Sequence, residues 1–205
     1  MIKLLGSLPK KVTVACSGGV DSMAVLDFLS KKHDVICAFY HHGTDSSEQA
    51  MKFISNFCTI RKIPVFFGIL LESKPKRKSY EEFWREKRYE FLDSIKVTPV
   101  ITCHHLDDCV ETYLWGCMHG TPKIIPYRRN NIIRPFLTTR KQEFINWCER
   151  KNIDWCHDSS NDDTDYTRNY IRHELMPHAL KVNPGLHKVV KRIVEKNVIM
   201  DILKQ

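Results

Sequence analysis

One segment near the start of the chain, VTVACSGGVDSMAVLDFL at residues 12–29, most constrains the fold. An apolar run ends in the polar turn at residues 17–22, and apolar residues at helical spacing follow at once. This pattern predicts a strand, a tight glycine turn and a helix. Glycine lets the backbone approach a ligand closely, and the first N–H groups of the helix point at the turn. The segment therefore predicts an anion site, in which phosphate is the usual occupant.

The turn differs from the common phosphate-binding motifs, because it lacks the closing lysine of G-x-x-x-x-G-K-[ST] and does not read G-x-G-x-x-G. Asp21 is an unusual neighbour for a phosphate unless Mg²⁺ lies between them. The pattern S-G-G-x-D-S after a strand resembles the PP-loop of the N-type ATP pyrophosphatases, which adenylate a substrate and release pyrophosphate. The resemblance implies ATP and Mg²⁺ as cofactors; the alternative is an ordinary strand-to-helix turn capped by a serine. The predicted ATP-binding residues are Ser17, Gly18, Gly19, Val20, Asp21 and Ser22.

Apolar runs typical of strands alternate with helical patterns along most of the chain. Predicted strands cover residues 12–16, 35–40, 65–70, 100–103, 131–134 and 153–156. Predicted helices cover residues 21–31, 46–62, 80–95, 107–118, 139–151, 170–179 and 184–204. This order predicts an α/β protein with a doubly wound, Rossmann-like parallel sheet of about five strands and a short C-terminal helical extension. In such a sheet the ligand binds at the carboxyl ends of the strands, where the predicted phosphate loop lies.

Size and composition limit the class of protein. The 205 residues, 42% of them hydrophobic, suffice for one core, predicted as a catalytic domain at residues 1–180 followed by a basic helix at 181–205. No apolar run approaches the roughly 18 residues of a membrane span. The eight cysteines lie inside strand and helix patterns without a C-x-x-C pair, which favours buried free thiols and a cytoplasmic location. The net charge of +8 favours a polyanionic partner, with a merely basic surface as the alternative.

A second polar cluster, HHLDDCVET at residues 104–112, follows the fourth predicted strand and should share the rim with the phosphate loop. Asp108 and Glu111 are three residues apart and share one face of a helix. Carboxylates beside a phosphate loop suit Mg²⁺, for which Asp21 and Asp108 are the candidate ligands. His105 is a candidate to orient a phosphate or to act as an acid. The alternative is an acidic helix start favoured by the helix dipole.

Two further clusters combine arginines with other polar residues. The helix YEEFWREKRYEFL places Arg85 and Arg88 on the same side as Glu82, although a solvated charged face has the same pattern. Later in the chain, IRPFL is followed by D-x-S-N-x-x-x-x-Y-x-R-N-x-I-R, which suits either a capping network or a site for an amino acid and a phosphodiester. The candidate residues for lysine or tRNA are His105, Arg88, Arg134, Asp158, Asn161, Arg168, Asn169 and Arg172.

In this order and spacing, over about residues 10–180, the four clusters resemble the tRNA(Ile)-lysidine synthetases. The resemblance implies ligation of free L-lysine to the wobble cytidine of isoleucine tRNA with a CAU anticodon, through an adenylated cytidine. It implies that the loop wraps the ATP phosphates and that Asp21 helps to hold Mg²⁺ and pyrophosphate. It assigns Asp108 and Glu111 to lysine or metal, and Arg85 to phosphate or the adenylated base. The general base stays open among Asp108, Glu111 and His105.

The chain also departs from this family. The family often has H-x-[D/N]-H-G after its second strand, whereas residues 39–43 read FYHHG, so that His41 replaces the Asp or Asn. Family members usually continue into C-terminal domains that hold the tRNA acceptor stem, so the selection of tRNA by these 205 residues is not explained. The oligomeric state is not predicted.

Three alternative functions compete with this interpretation. Another PP-loop tRNA-modifying enzyme, such as a 2-thiocytidine synthetase, is disfavoured by the missing C-x-x-C pair. A synthetase of the GMP or asparagine type is disfavoured by the segment ending R-N-x-I-R. A non-catalytic nucleotide- or RNA-binding module is disfavoured by the intact Ser17, Asp21, Asp108 and Glu111.

Overall fold

The computed structural model describes residues 1–157 and 163–203. Within this part of the chain, six strands form one sheet with the order β3-β2-β1-β4-β6-β5. The strands are β1 (Lys11–Ala15), β2 (Asp34–His41), β3 (Val65–Ile69), β4 (Val100–Ile101), β5 (Arg128–Arg129) and β6 (Ile132–Ile133). Neighbouring strands pair in parallel except β5, which runs antiparallel to β6. The prediction of a mostly parallel sheet is therefore confirmed.

The helices connect these strands across both faces of the sheet. They are α1 (Val20–Ser30), α2 (Asp45–Arg61), α3 (Tyr80–Ser94), α4 (Leu106–Met118), α5 (Lys141–Lys151), α6 (Thr167–Tyr170), α7 (Met176–Val182) and α8 (Leu186–Leu203). A π-helical segment, Ile171–Leu175, joins α6 to α7. The chain builds β1, β2 and β3 outward in one direction and then crosses back to place β4 against the other side of β1. This reversal creates the crevice between β1 and β4 in which doubly wound proteins bind ligands.

Alternating strand residues divide the core in two, because successive side chains of a strand point to opposite faces. Val14 and Cys37 belong to the main cluster, which includes apolar residues of α1, α2, α4, α5 and α8. Ala38 and Val100 belong to a smaller cluster, which includes Tyr89 of α3. Both faces of the sheet are thus covered, as a parallel sheet requires.

The last helix packs onto the rest of the domain. Its buried apolar residues recur every four positions: Leu186, Val190, Val194 and Val198. They join the main core, which also contains apolar residues of α4. A helix with one such apolar stripe gains most of its stability from this packing. The division into residues 1–180 and 181–205 stays a prediction.

One predicted strand and one predicted helix need correction. Residues 153–156 form no strand, because the Cys156 N–H donates to the Gly18 carbonyl in the phosphate loop (2.9 Å) instead of joining a ladder. The predicted helix at 170–179 is interrupted by the π-helical segment. The eight cysteines are unpaired, as expected, but Cys117 is exposed rather than buried.

Candidate active site

The loop between β1 and α1 is shaped by backbone conformation and by one buried hydroxyl. Gly18 has a φ of +86°, and α1 begins at Val20 with Gly19 as its N-cap. The Ser22 hydroxyl is buried; it accepts from the Ser17 N–H (3.2 Å) and donates to the Gly19 carbonyl (2.8 Å). Ser22 therefore fixes the loop, and the first N–H groups of α1 provide the donors for an anion.

The positive φ of Gly18 leads to a prediction with a matched control. Alanine at Gly18 or at Gly43, which has a φ of +78°, is expected to cost about 1 kcal/mol of folding free energy, because a Cβ disfavours this conformation. Only Gly18→Ala should also weaken ATP binding, by about tenfold, because only this residue shapes the loop. Isothermal titration with ATP and Mg²⁺ measures the difference, and equal ATP affinities in the two variants would contradict it.

Asp21 lies in the first turn of α1 and faces the carboxyl end of β4. Its Oδ2 is 3.6 Å from His105 Nε2, and its buried Oδ1 has no hydrogen-bond partner among the described residues. A buried carboxylate oxygen without a partner beside an anion site fits a Mg²⁺ ligand. Within residues 1–157 and 163–203, no group of three or more metal-binding side chains forms a site by itself. A Mg²⁺ ion here would therefore share its ligands with phosphate oxygens, as this ion usually does.

His105 caps α4 and is surrounded by carboxylates. The backbone N–H of His105 donates to Asp108 Oδ2 (2.9 Å), and the backbone N–H of Asp108 points at His105 Nδ1 (3.3 Å). Burial lowers the pKa of His105, but the carboxylates of Asp108 and Asp21 outweigh burial and raise the pKa to about 9. Asp21, Asp107 and Asp108 all lie within 3.8 Å of its ring nitrogens, which favours the imidazolium. A hydrogen bond from the Asp108 N–H to Nδ1 would instead require a neutral ring, and at 3.3 Å this contact is long.

The neighbouring histidine has the opposite charge state. Burial lowers the pKa of His104 to about 3, and its Nδ1 lies 3.0 Å from the Thr102 hydroxyl. His104 is therefore neutral near pH 7, whereas His105 is cationic. Two adjacent histidines thus present a neutral ring and a cation at the same end of β4.

The two predicted carboxylates of α4 are paired with the two predicted arginines. Arg168 donates to Asp108 Oδ1 (2.8 Å) and to Glu111 Oε2 (3.0 Å). Arg172 contacts both oxygens of Glu111, at 2.7 and 3.2 Å. Burial raises the pKa of Asp108, but His105 and Arg168 outweigh it and hold this pKa well below its usual range. The acidic pair and the R-N-x-I-R motif are therefore one ion-pair network.

Two other residues of the last motif have different positions. Asn169 is buried, and its side-chain amide donates to the Asp163 carbonyl (2.8 Å), which ties α6 to the preceding turn. Asp158 and Asn161 lie outside the described residues, so their predicted roles stay predictions.

The remaining predicted arginines surround Tyr89 of α3. Arg134 is 3% exposed; it donates to the Pro126 carbonyl (2.9 Å) and lies 3.4 Å from the Tyr89 hydroxyl. The guanidinium carbons of Arg85 and Arg129 lie 5.0 and 4.7 Å from the centre of the Tyr89 ring. The Nε of Arg134 is buried without a hydrogen-bond partner among the described residues, and the predicted role of Arg134 stays a prediction. Arg85 is exposed and lines a surface cavity of about 460 Å³ with Arg129.

Arg88 is the predicted arginine best placed to hold an anion. It is half-buried, and in the described part of the chain it has no carboxylate partner. Burial lowers the pKa of Arg88, and the charges of Arg85 and Arg168 lower it further. Its charge also contributes to lowering the pKa of His42 and of His104, both of which are lowered chiefly by burial. An unpaired, partly desolvated guanidinium is suited to a phosphate or carboxylate.

Sequence reasoning missed Asp107, although it is the first Asp of the same D-D pair. Its carboxylate accepts from the Lys141 N–H (2.8 Å) and lies 3.2 Å from Arg140 Nε and 3.1 Å from His187 Nε2. Asp107 therefore joins the starts of α4, α5 and α8. Its pairing with α8 carries no local signal in the sequence.

Comparisons with known proteins identify the class. Residues 3–179 match the family described as the PP-loop domain, and the chain belongs to this family. Family membership supports the prediction of ATP as a cofactor. In the described residues, no helix is both long and apolar enough to cross a bilayer.

Within this family, the chain is similar to curated tRNA(Ile)-lysidine synthases. The chain is 35% identical to the tRNA(Ile)-lysidine synthase of Thermosipho africanus over 90% of its length and 47% of the relative's. It is 32% identical to the tRNA(Ile)-lysidine synthase of Porphyromonas gingivalis, over 94% of this chain and 46% of the relative. The chain thus spans about half the length of these relatives. The U34-tRNA thiolase NcsA of Methanococcus maripaludis, with its [4Fe-4S] cluster, has a similar fold, with a TM-score of 0.73, 16% identity and coverage of 95% and 74%.

Proposed function

We propose that this chain forms the catalytic centre of a tRNA(Ile)-lysidine synthase. In the first step, O2 of the wobble cytidine attacks the α-phosphorus of ATP, which forms an adenylated cytidine and releases pyrophosphate. In the second step, the ε-amine of free L-lysine attacks C2 of cytidine; a C–N bond forms, and AMP leaves with the oxygen. The observation that carries the proposal is the contact of Asp21 in the phosphate loop with His105, which caps the helix of the acidic pair.

The described side chains supply charge stabilisation for the first step. The N–H groups at the start of α1 bind a phosphate, and Arg88 offers an unpaired guanidinium on the same rim. Asp21, with its unpartnered oxygen, would hold Mg²⁺, which neutralises charge on the phosphates when bound. The cationic His105 keeps the Asp21 carboxylate in place. Such a preorganised set of charges stabilises the transition state in which pyrophosphate departs more than it stabilises the ground state.

The ion-pair network suggests how lysine is oriented. Asp108 and Glu111 are buried beneath Arg168 and Arg172, and Arg168 is the most exposed member, at 40% of its side chain. The accessible surface of the network is therefore a guanidinium, which fits the α-carboxylate of lysine. Because Asp108 is paired and His105 is cationic, neither is well suited to be the general base. We assign both to positioning rather than to proton transfer.

An incorporation assay tests the proposal. The purified chain with ATP, Mg²⁺ and radiolabelled lysine should label an unmodified isoleucine tRNA transcript with a CAU anticodon and release one pyrophosphate per lysine. A transcript with uridine at the wobble position is the matched control, and it should stay unlabelled. Labelling of both transcripts, or lysine incorporation without ATP, would refute the proposed reaction.

A further inference from the structure

A row of aromatic rings extends along α3 and the end of β2. The ring centres of Phe91 and Tyr40 lie 5.5 Å apart, and those of Tyr40 and His42 lie 5.1 Å apart. The row continues from His42 to Trp84 (5.6 Å) and from Trp84 to Tyr80 (5.3 Å). We call these five residues the aromatic row. Each neighbouring pair lies within the distance at which aromatic rings attract one another.

The inner end of the aromatic row is held rigidly, and its outer end is open. A Cβ on Gly68 of β3 would lie 2.6 Å from Phe91 and 2.7 Å from Tyr40, so both rings pack directly on the backbone of this glycine. Tyr80, at the other end, is 59% exposed. A large ring that stays exposed at the end of an ordered row is available for contact with a partner.

Positive charge lies at the outer end of the aromatic row and beside its middle member, His42. Lys74 Nζ lies 4.9 Å from the centre of the Tyr80 ring, and it belongs to the basic loop SKPKRKS at residues 73–79. Lys76 and Arg77 of this loop are exposed and have no carboxylate partner in the part of the chain that the structure describes. Arg88, near His42, has none there either. Burial lowers the pKa of His42 to about 4, so its ring is neutral near pH 7.

We propose that the aromatic row binds unpaired nucleotides of an RNA. Bases stack on Tyr80 and Trp84, while Lys76 and Arg77 contact the adjoining phosphates. Tyr80 is exposed and Trp84 beside it is partly exposed, with unpaired cations in the adjoining loop. Single-stranded RNA suits such a surface, because every base has a face for stacking and every linkage carries a negative charge. Arg88, whose charge acts on His42 in the middle of the row, is the guanidinium that we propose for a phosphate of the catalytic centre. This inference rests on the proposed function, since it takes the RNA to be the tRNA loop that carries the target cytidine.

RNA binding is measured apart from catalysis. The probe is a fluorescein-labelled anticodon stem-loop of the isoleucine tRNA, titrated with the protein by fluorescence anisotropy without ATP or lysine. Tyr80→Leu should raise the Kd about tenfold, whereas Tyr80→Phe, which keeps the ring, should leave it within about twofold. Because Tyr80 is largely exposed, both variants should keep the wild-type melting temperature.

The charged part of the surface has its own test. Lys76→Ala/Arg77→Ala should reduce the slope of log Kd against log salt concentration by about two. The control Lys11→Ala/Lys32→Ala removes two exposed charges, at the first residue of β1 and just beyond α1, and it should leave the slope unchanged.

The outcomes separate this inference from the proposed function. If wild-type protein incorporates lysine but Tyr80→Leu binds the stem-loop as tightly as wild type, the aromatic row is not the RNA surface. An unchanged salt slope in Lys76→Ala/Arg77→Ala would overturn the phosphate contacts. If the stem-loop affinity falls as expected but the wild-type chain incorporates no lysine, the RNA surface stands and the proposed reaction fails.

Discussion

Replacement of Asp21 by asparagine is expected to reduce the rate of lysine incorporation by about 100- to 1,000-fold. Asparagine keeps the size of the side chain but removes the negative charge from the oxygen that has no partner among the described residues. The loss of one preorganised electrostatic group in an active site typically has an effect of this size. Single-turnover incorporation of radiolabelled lysine, with pyrophosphate release followed in parallel, measures it.

The matched control for this variant is Asp34→Asn. Asp34 is the first residue of β2, at the amino end of the strand and away from the phosphate loop, and its carboxylate forms an exposed ion pair with Lys10 at 3.5 Å. Its replacement should leave incorporation unchanged. A rate within threefold of wild type in Asp21→Asn would remove Asp21 from the catalytic centre, although the reaction itself could still occur.

Replacement of Glu111 by alanine is expected to lower the free energy of unfolding by about 3 kcal/mol. Glu111 is 2% exposed and accepts from both Arg168 and Arg172, so its loss leaves two partly buried guanidinium groups to share Asp108. Removing one partner of a buried ion pair is costly for this reason. Urea unfolding followed by circular dichroism measures the change.

An exposed ion pair provides the comparison for Glu111. Glu90→Ala removes one of the two carboxylate partners of Lys87, the other being Glu72, and it should change the free energy of unfolding by less than about 0.5 kcal/mol. In a double-mutant cycle, Glu111 and Arg172 should be coupled by 1–3 kcal/mol, a range typical of residues in contact. A loss below 1 kcal/mol in Glu111→Ala would instead favour a direct role of this carboxylate in binding lysine.

The succession of strands and helices could be predicted because each is encoded locally. The S-G-G-x-D-S turn marks the end of β1 and the start of α1. Ser79 marks the start of α3, which it caps by accepting from the Glu82 N–H (3.1 Å). Residues 153–156 have the apolar pattern of a strand, yet a strand also requires a partner, and their backbone reaches the phosphate loop instead. The two-residue strand β5 is too short to produce a periodic pattern.

The candidate residues could likewise be predicted, but their pairing could not. Sequence patterns mark Asp108, Glu111, Arg168 and Arg172 as unusual, and all four lie in one network. Nothing local indicates that α6 and the π-helical segment turn their arginines toward α4. Arg134 and Arg88 look equivalent in the sequence, yet Arg134 is fully buried and donates to a backbone carbonyl, whereas Arg88 is half-buried without a carboxylate partner in the described residues.

The bond between Cys156 and Gly18 has a consequence for the synthesis of this protein. The phosphate loop is translated well before the N–H that holds its carbonyl, because that N–H belongs to a residue beyond β6 and α5. A chain emerging from a ribosome therefore carries an unfinished loop until most of the domain has followed it. Contacts between segments so distant in the chain slow folding, since a long loop must close before they form. Nascent chains that end before residue 156 should accordingly bind ATP poorly, which delays the binding of ATP until the segment after α5 has been made.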